Sequence, residues 1–239
     1  MRLALALFSA CVLFVAARPA PAQGDVAAFD PSGYWVAVVT EDWKFRMVTP
    51  AKGVYDGVPL NAAGRQLADT WEPGAAQGPD CRNYGAASLL RMPGRLRIDW
   101  ADTQMLRIVS DAGNQTRLIR FGPEPESATS ASRQGESVAE WQYAPGQSPR
   151  DGASLAGDLK VVTTRLEPGF LRPNGVPYGA AALVTEYFNV HRAPNGDDWL
   201  VVTIVVADPQ YLSRPYLTSA HFKRVASDAG WHPTPCVEP

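Results

Sequence analysis

From Gly33 onward the chain alternates short runs of apolar and β-branched residues with clusters of Gly, Pro, Asn and Asp. That pattern reads as strands separated by tight turns. Residues 33–40 (GYWVAVVT) and 43–49 open the series. A single helix is predicted next: Asn61 supplies a cap, Ala63, Leu67 and Trp71 recur at four-residue spacing, and Pro73 ends it. After a Gly/Pro-rich stretch through Cys81 to Gly85, a meander is expected over 88–92, 96–100, 105–110 and 115–121. Leu96, Ile98 and Trp100 fall on one face of their strand and Arg95, Arg97 and Asp99 on the other, which predicts a core side and a water side. Further strands are expected at 136–143, 158–165, 181–191, 199–207 and 216–225, with Pro194-Asn195-Gly196-Asp197 forming a hairpin loop. Residues 122–132 and 144–157 read as surface loops.

About ten closely spaced strands and one short helix predict an all-β domain, an antiparallel barrel or a sandwich. The barrel is favoured by residues 199–207, where Trp199, Val201 and Val205 on one face match Leu200, Val202, Ile204 and Val206 on the other. Such a strand is covered on both sides.

The first 22 residues do not fit this pattern. Arg2 precedes an apolar stretch over 3–17, and Ala20-Pro21-Ala22 gives a small-x-small cleavage site. The stretch falls short of the about 20 residues a bilayer span requires. It therefore reads as a cleaved export signal, leaving one β-rich domain over 23–239 in the periplasm or outside the cell. The rival lipoprotein reading at Cys11 (Phe8-Ser9-Ala10-Cys11) would strand an apolar segment beyond the cut. No transmembrane anchor is expected further along. Losing Arg2 and Arg18 takes the formal charge from −2 to −4, and no basic patch marks a nucleic-acid partner. Export also removes Cys11, so Cys81 and Cys236 are expected to pair as a disulfide in an oxidising compartment.

Nucleophile elbows, zinc-binding His pairs, paired CxxC motifs, P-loops and dinucleotide fingerprints are all missing. No cofactor and no metal is expected; His191, His221 and His232 lack ligand spacing. Glu186 is the unusual residue. It shares a strand face with Val184, Phe188 and Val190, and a carboxylate there needs a partner, either an internal cation such as an arginine or Lys160, or a ligand. Residues 167–179 (EPGFLRPNGVPYG) combine three prolines and three glycines with Phe170, Leu171 and Tyr178. Such a segment reads as a packed cover or as a binding lid bringing Arg172, Asn174 or Tyr178 to a ligand. Thr164, at the end of the preceding strand, completes the candidate ligand-binding set.

Several short motifs recur here in order: Gly157-Asp158-Leu159-Lys160-Val161-Val162-Thr163-Thr164, Gly175-Val176-Pro177-Tyr178, Thr185-Glu186-Tyr187-Phe188 and Ala207-Asp208-Pro209. As a set they resemble a broad group of secreted bacterial β-rich proteins with G-D-x-L-V-V-x-T, G-x-P-[HY], [TV]-E-[RY]-[FY] and D-P patterns. The resemblance covers residues 135–225 and implies a β-rich fold without implying an activity. Where many of that group carry G-H-S and G-x-P-H, this chain has Gly135-Glu136-Ser137 and Tyr178. Gly33-Tyr34-Trp35 also echoes the G-x-W opening of lipocalin-like barrels. The leading expectation is a non-catalytic exported barrel that binds a small or amphipathic ligand or an envelope protein. The alternatives are a hydrolase-like enzyme using Glu186 or Asp208, and a structural protein of the envelope.

Overall fold

A ring of nine hydrogen-bonded strands closes on itself to form the core of the molecule. The computed structural model describes residues 27–72, 81–122, 130–146 and 156–236. The export signal with its cleavage site, Cys11, Pro73 and the middles of the two predicted surface loops (123–129 and 147–155) lie outside them.

Four strands form a meander: β1 (Gly33–Ala37), β2 (Arg95–Asp102), β3 (Met105–Ser110) and β4 (Gln115–Phe121). Beside β4 lies β5 (Glu136–Tyr143), followed around the ring by β6 (Gly157–Thr164), β9 (Leu183–Arg192), β10 (Asp198–Ala207) and β11 (Tyr216–Val225), which pairs back onto β1. Between β6 and β9 a separate hairpin forms from β7 (Gly169–Arg172) and β8 (Val176–Tyr178). The expected barrel is thus present, with one difference from the all-antiparallel reading. A closed ring with an odd number of strands cannot alternate direction all the way round. The unavoidable parallel pair is β4–β5, joined through only three residue pairs, Ile119↔Ser137, Arg120↔Val138 and Phe121↔Ala139. Parallel neighbours need a long return connection, and residues 122–135 supply it.

The period-two pattern sorts the faces as expected. Leu96, Ile98, Leu106, Ile108, Ile119, Leu159, Val161, Val184, Phe188, Leu200, Val202, Ile204, Val206, Ala220 and Phe222 point inward and are buried. At the end of the barrel where β4 and β5 finish, Phe29, Trp100, Phe121 and Trp141 fill the opening with ring-to-ring contacts of 4.9–6.1 Å. Trp35 is fully buried, donates Nε1–H to Pro31 O at 2.9 Å and carries the Arg224 guanidinium over its ring at 4.2 Å.

The connections between β1 and β2, between β6 and β9 and between β10 and β11 open at the other end. They build a cap from residues 38–72, 81–93, 165–182 and 208–215. Two segments expected as strands are part of it. Residues 43–49 instead begin as the one-turn helix α1 (Trp43–Arg46), entered through Asp42 in a left-handed conformation (φ 51°). Residues 88–92 form a 3-10 turn, because the Ser88 hydroxyl donates to Asn83 O at 2.7 Å and folds the chain back. Leu89, Leu90 and Arg91 are all buried, so this short apolar run belongs to no alternating face. The predicted helix is α2 (Ala62–Ala68), capped as expected by Asn61 Oδ1 accepting from Gly64 N at 2.9 Å. Its buried side is Gly64 and Ala68 rather than Leu67, which is 41% exposed. A Cβ on Gly64 would stand 2.3 Å from Tyr211 O, so backbone proximity selects that side.

Residues 167–179 are a packed cover, since every residue of β7 and β8 is buried. The expected bridge joins Cys81 to Cys236 over a separation of 155 residues, with Cα atoms 5.2 Å apart. Among the described residues no helix is long and apolar enough to cross a membrane. Replacing both cysteines by serine is expected to lower unfolding stability by up to about 5 kcal/mol, the chain-entropy limit for so long a loop. Denaturant titration of the double variant against the oxidised protein checks this.

Candidate functional site

Two constellations of buried polar side chains occur at the capped end of the barrel, one inside the wall and one in the cap. The inner one is built by strand alternation. Arg117 on β4 lies on the face of Ile119 and Phe121, Ser137 on β5 on the face of Ala139 and Trp141, Thr163 on β6 with Val161, and Glu186 on β9 with Val184 and Phe188. The Arg117 guanidinium donates Nη1–H to Glu186 Oε1 at 2.8 Å and Nη2–H to Glu186 Oε2, a two-pronged ion pair with both side chains fully buried. Arg117 also donates to Ser137 Oγ at 3.2 Å and to Thr163 Oγ1 at 2.8 Å, and those hydroxyls bond each other at 2.8 Å. Glu186 therefore takes the internal-cation reading, with Arg117 as the partner. Lys160 is committed elsewhere, at 2.8 Å from Glu140 on the outer surface.

The remaining candidates separate. Thr164 is half-buried on the outward face of β6, next to rather than within the inner network. Asn174 is fully buried and ties the 51–54 turn to the hairpin, donating Nδ2–H to Ala51 O at 3.2 Å and to Val54 O at 2.9 Å. Tyr178 is fully buried against Gly85 and Gly169, and a Cβ at either glycine would come within 2.6 Å of its hydroxyl. Burial pushes its phenol up to about 12. Asp208 is a turn residue: Oδ2 accepts from Gly179 N at 2.8 Å and Oδ1 from Gln210 N at 3.1 Å. His221 is half-buried, with Nδ1 at 2.7 Å from Thr40 Oγ1 and 3.3 Å from Glu41 Oε2. Hydroxyl and carboxylate meet the same ring nitrogen, so the ring does not relay a proton between them as a nucleophile triad requires.

Of the five candidates, Arg172 lines a cavity among the described residues. After Ala37↔Phe222 and one more bond, from Val38 N to His221 O at 2.8 Å, the chain leaves the barrel and continues into α1. Phe45 and Arg46 of α1, Asn83 and Arg91 from the Cys81–Met92 turns, and Arg172 of β7 surround a small cavity there, with about 20 Å³ of free room. Arg46 donates Nε–H to Arg91 O at 2.8 Å and its Nη1 pairs with Glu41. Arg91 pairs with Asp42 at 3.0 Å and reaches Thr218 Oγ1 and Ser219 O on β11. Arg172 donates to Asp56 O at 2.8 Å, lies over the Phe45 ring at 4.2 Å and stands 4.0 Å from the same Asp42 carboxylate. Burial and the neighbouring Arg91 charge hold the Arg46 guanidinium below its ordinary value, against the pull of Glu41 and Asp42.

Three cations thus share two carboxylates, and several polar atoms are left over. Arg46 Nη2, Arg172 Nε and both side-chain atoms of Asn83 are buried without a hydrogen-bond partner. Arg46, Asn83 and Arg91 are the residues the sequence reading missed. Arg91 left a trace, as a charge within Leu89-Leu90-Arg91, while Asn83 left none. Arg117 was legible by the same alternation that exposed Glu186.

No protein-family model matches this chain, and neither a curated protein nor a solved structure is similar to it. The site is therefore read from its own geometry.

Two outcomes are expected. Glu186→Leu or Arg117→Met alone should cost about 3–5 kcal/mol by leaving one charge buried and unpaired, while the double variant should recover most of that loss in denaturant titration. The raised Tyr178 phenol keeps its proton in the fold after the unfolded chain has lost it. Its contribution is accordingly unaffected well below pH 10 and declines as pH rises from 10 towards about 12, by roughly 2–3 kcal/mol in all. The Tyr178→Phe variant should show a correspondingly shallower alkaline loss of stability.

Proposed function

We propose that this chain is an exported, non-catalytic binding domain in which the barrel is scaffold and the cap pocket around Arg46, Arg91 and Arg172 receives the ligand. The observation that carries the reading is the contrast between the two polar constellations. Inside the wall, Arg117, Ser137, Thr163 and Glu186 satisfy one another and are closed to solvent. In the cap, residues that line free room carry buried donors and an acceptor without partners. Buried polar groups are ordinarily satisfied, and those left over beside a cavity are where a water or another molecule would supply the partner.

Export is supported by the signal-like residues 1–22 together with the Cys81–Cys236 bridge, which suits an oxidising compartment. A non-catalytic role is supported by the state of the two carboxylates an enzyme would need. Glu186 is held by two prongs of Arg117, and both Asp208 oxygens accept backbone N–H groups. Neither is placed to move a proton to or from a substrate.

A thermal-shift screen of small molecules against the mature protein tests the reading. A stabilising ligand is expected to lose at least about tenfold in affinity in Arg172→Gln, which removes a charged contact, and to keep it in the Arg117→Met/Glu186→Leu double variant. A ligand lost in the interior double variant but retained in Arg172→Gln would place the site inside the barrel and overturn the proposal.

A further inference from the structure

The charge count of the cap pocket points to its ligand. Arg46, Arg91 and Arg172 are each at least nine-tenths buried, whereas among the described residues their counter-ions are Glu41 and Asp42. Asp42 serves two of the three guanidiniums, and Glu41 is divided between Arg46 and His221. Both carboxylates sit towards water, with side chains 23% and 37% exposed. The buried side of the cluster therefore carries one positive charge more than its partners neutralise, a costly arrangement in low dielectric.

The unpartnered atoms describe the missing group. Arg46 Nη2–H, Arg172 Nε–H and Asn83 Nδ2–H are donors without acceptors, and guanidinium edges are suited to planar or tetrahedral oxygen anions. Asn83 Oδ1 is an acceptor without a donor. The free room of about 20 Å³ holds about one water, or the oxygens at the end of a molecule whose remainder stays outside. We infer that the pocket takes the oxyanion end of a small molecule, a carboxylate or phosphate carrying a hydroxyl or other donor beside it. The oxyanion supplies the missing negative charge and accepts from Arg46, Arg172 and Asn83, while the adjacent donor meets Asn83 Oδ1. This inference rests on the binding role proposed for the same pocket.

Asn83→Leu is the discriminating variant. It keeps all three arginines and the branched outline of the side chain while adding bulk, and it removes no hydrogen bond, because the Asn83 side chain makes none. Thermal unfolding is followed at constant ionic strength with sodium chloride, acetate, glycolate or inorganic phosphate as the added salt. Glycolate and phosphate are expected to raise the midpoint with concentration, acetate to do so less, and chloride not at all. Asn83→Leu and the smaller Asn83→Ala, which leaves the pocket open, should both unfold cooperatively in chloride and bind glycolate or phosphate about tenfold more weakly. A larger response to glycolate assigns a hydroxycarboxylate, and a larger response to phosphate a phosphate ester. Equal response of wild type and Asn83→Leu, or no anion effect beyond chloride, overturns the inference. A neutral ligand from the screen that still depends on Arg172 would overturn it while leaving the binding role intact.

Discussion

The four-residue network of Arg117, Ser137, Thr163 and Glu186 lies where the barrel is least held by its own backbone. Nine strands cannot alternate around a closed ring, and the resulting parallel seam between β4 and β5 has only three paired residues. Arg117 projects from β4 just before that pairing begins and reaches Ser137 on β5, Thr163 on β6 and Glu186 on β9. One side chain thereby ties together the four strands on and beyond the seam. A buried ion pair adds little net stability over a packed apolar substitute. Its leverage is in register: slipping any of the four strands by one residue turns its polar group outward and leaves the others buried without partners. Charge complementarity thus fixes an alignment that three backbone pairs would hold weakly.

This arrangement also bears on where the proposed ligand would sit. Arg117 and Glu186 take up the capped end of the interior and the Phe29–Trp100–Phe121–Trp141 cluster takes up the other, so the barrel axis is occupied by the protein's own side chains. Polar capacity left unspent lies in the cap, among segments that arrive from distant parts of the chain. Arg46 comes from the exit of β1, Asn83 and Arg91 from the turns before β2, and Arg172 from the β7–β8 hairpin.

That difference in origin explains what could be read from the sequence. Period-two alternation is local, so it revealed the strands, the inward position of Glu186 and, had it been applied to residues 115–121, that of Arg117. The Asn61 cap and the Cys81–Cys236 bridge were legible for similar reasons, one from local chemistry and the other from counting thiols. The two segments misread as strands, 43–49 and 88–92, are apolar because a cap buries them, and burial alone does not specify backbone geometry. The pocket was hidden because no local pattern records that Arg46, Asn83 and Arg172 converge. Only the proline-stiffened segment that carries Arg172 distinguishes it in the sequence.

The disulfide connects this convergence to the compartment inferred from the N-terminus. Cys81 lies two residues before Asn83, and its partner Cys236 belongs to a tail held to the barrel by Thr234 N donating to Asp111 O at 2.9 Å. The bridge therefore anchors the turn that presents Asn83 to a tail laid against the sheet, rather than fastening two strands that the ladder already pairs. The other pocket residues have their own anchors: Arg91 on β11 and Arg172 on the carbonyl of Asp56. Asn83, whose side chain makes no bond of its own, depends on the backbone around it for position. Oxidation of the thiols thus restrains the part of the pocket that side-chain bonding leaves free. This links an oxidising compartment, through one covalent bond, to the order of the proposed binding site.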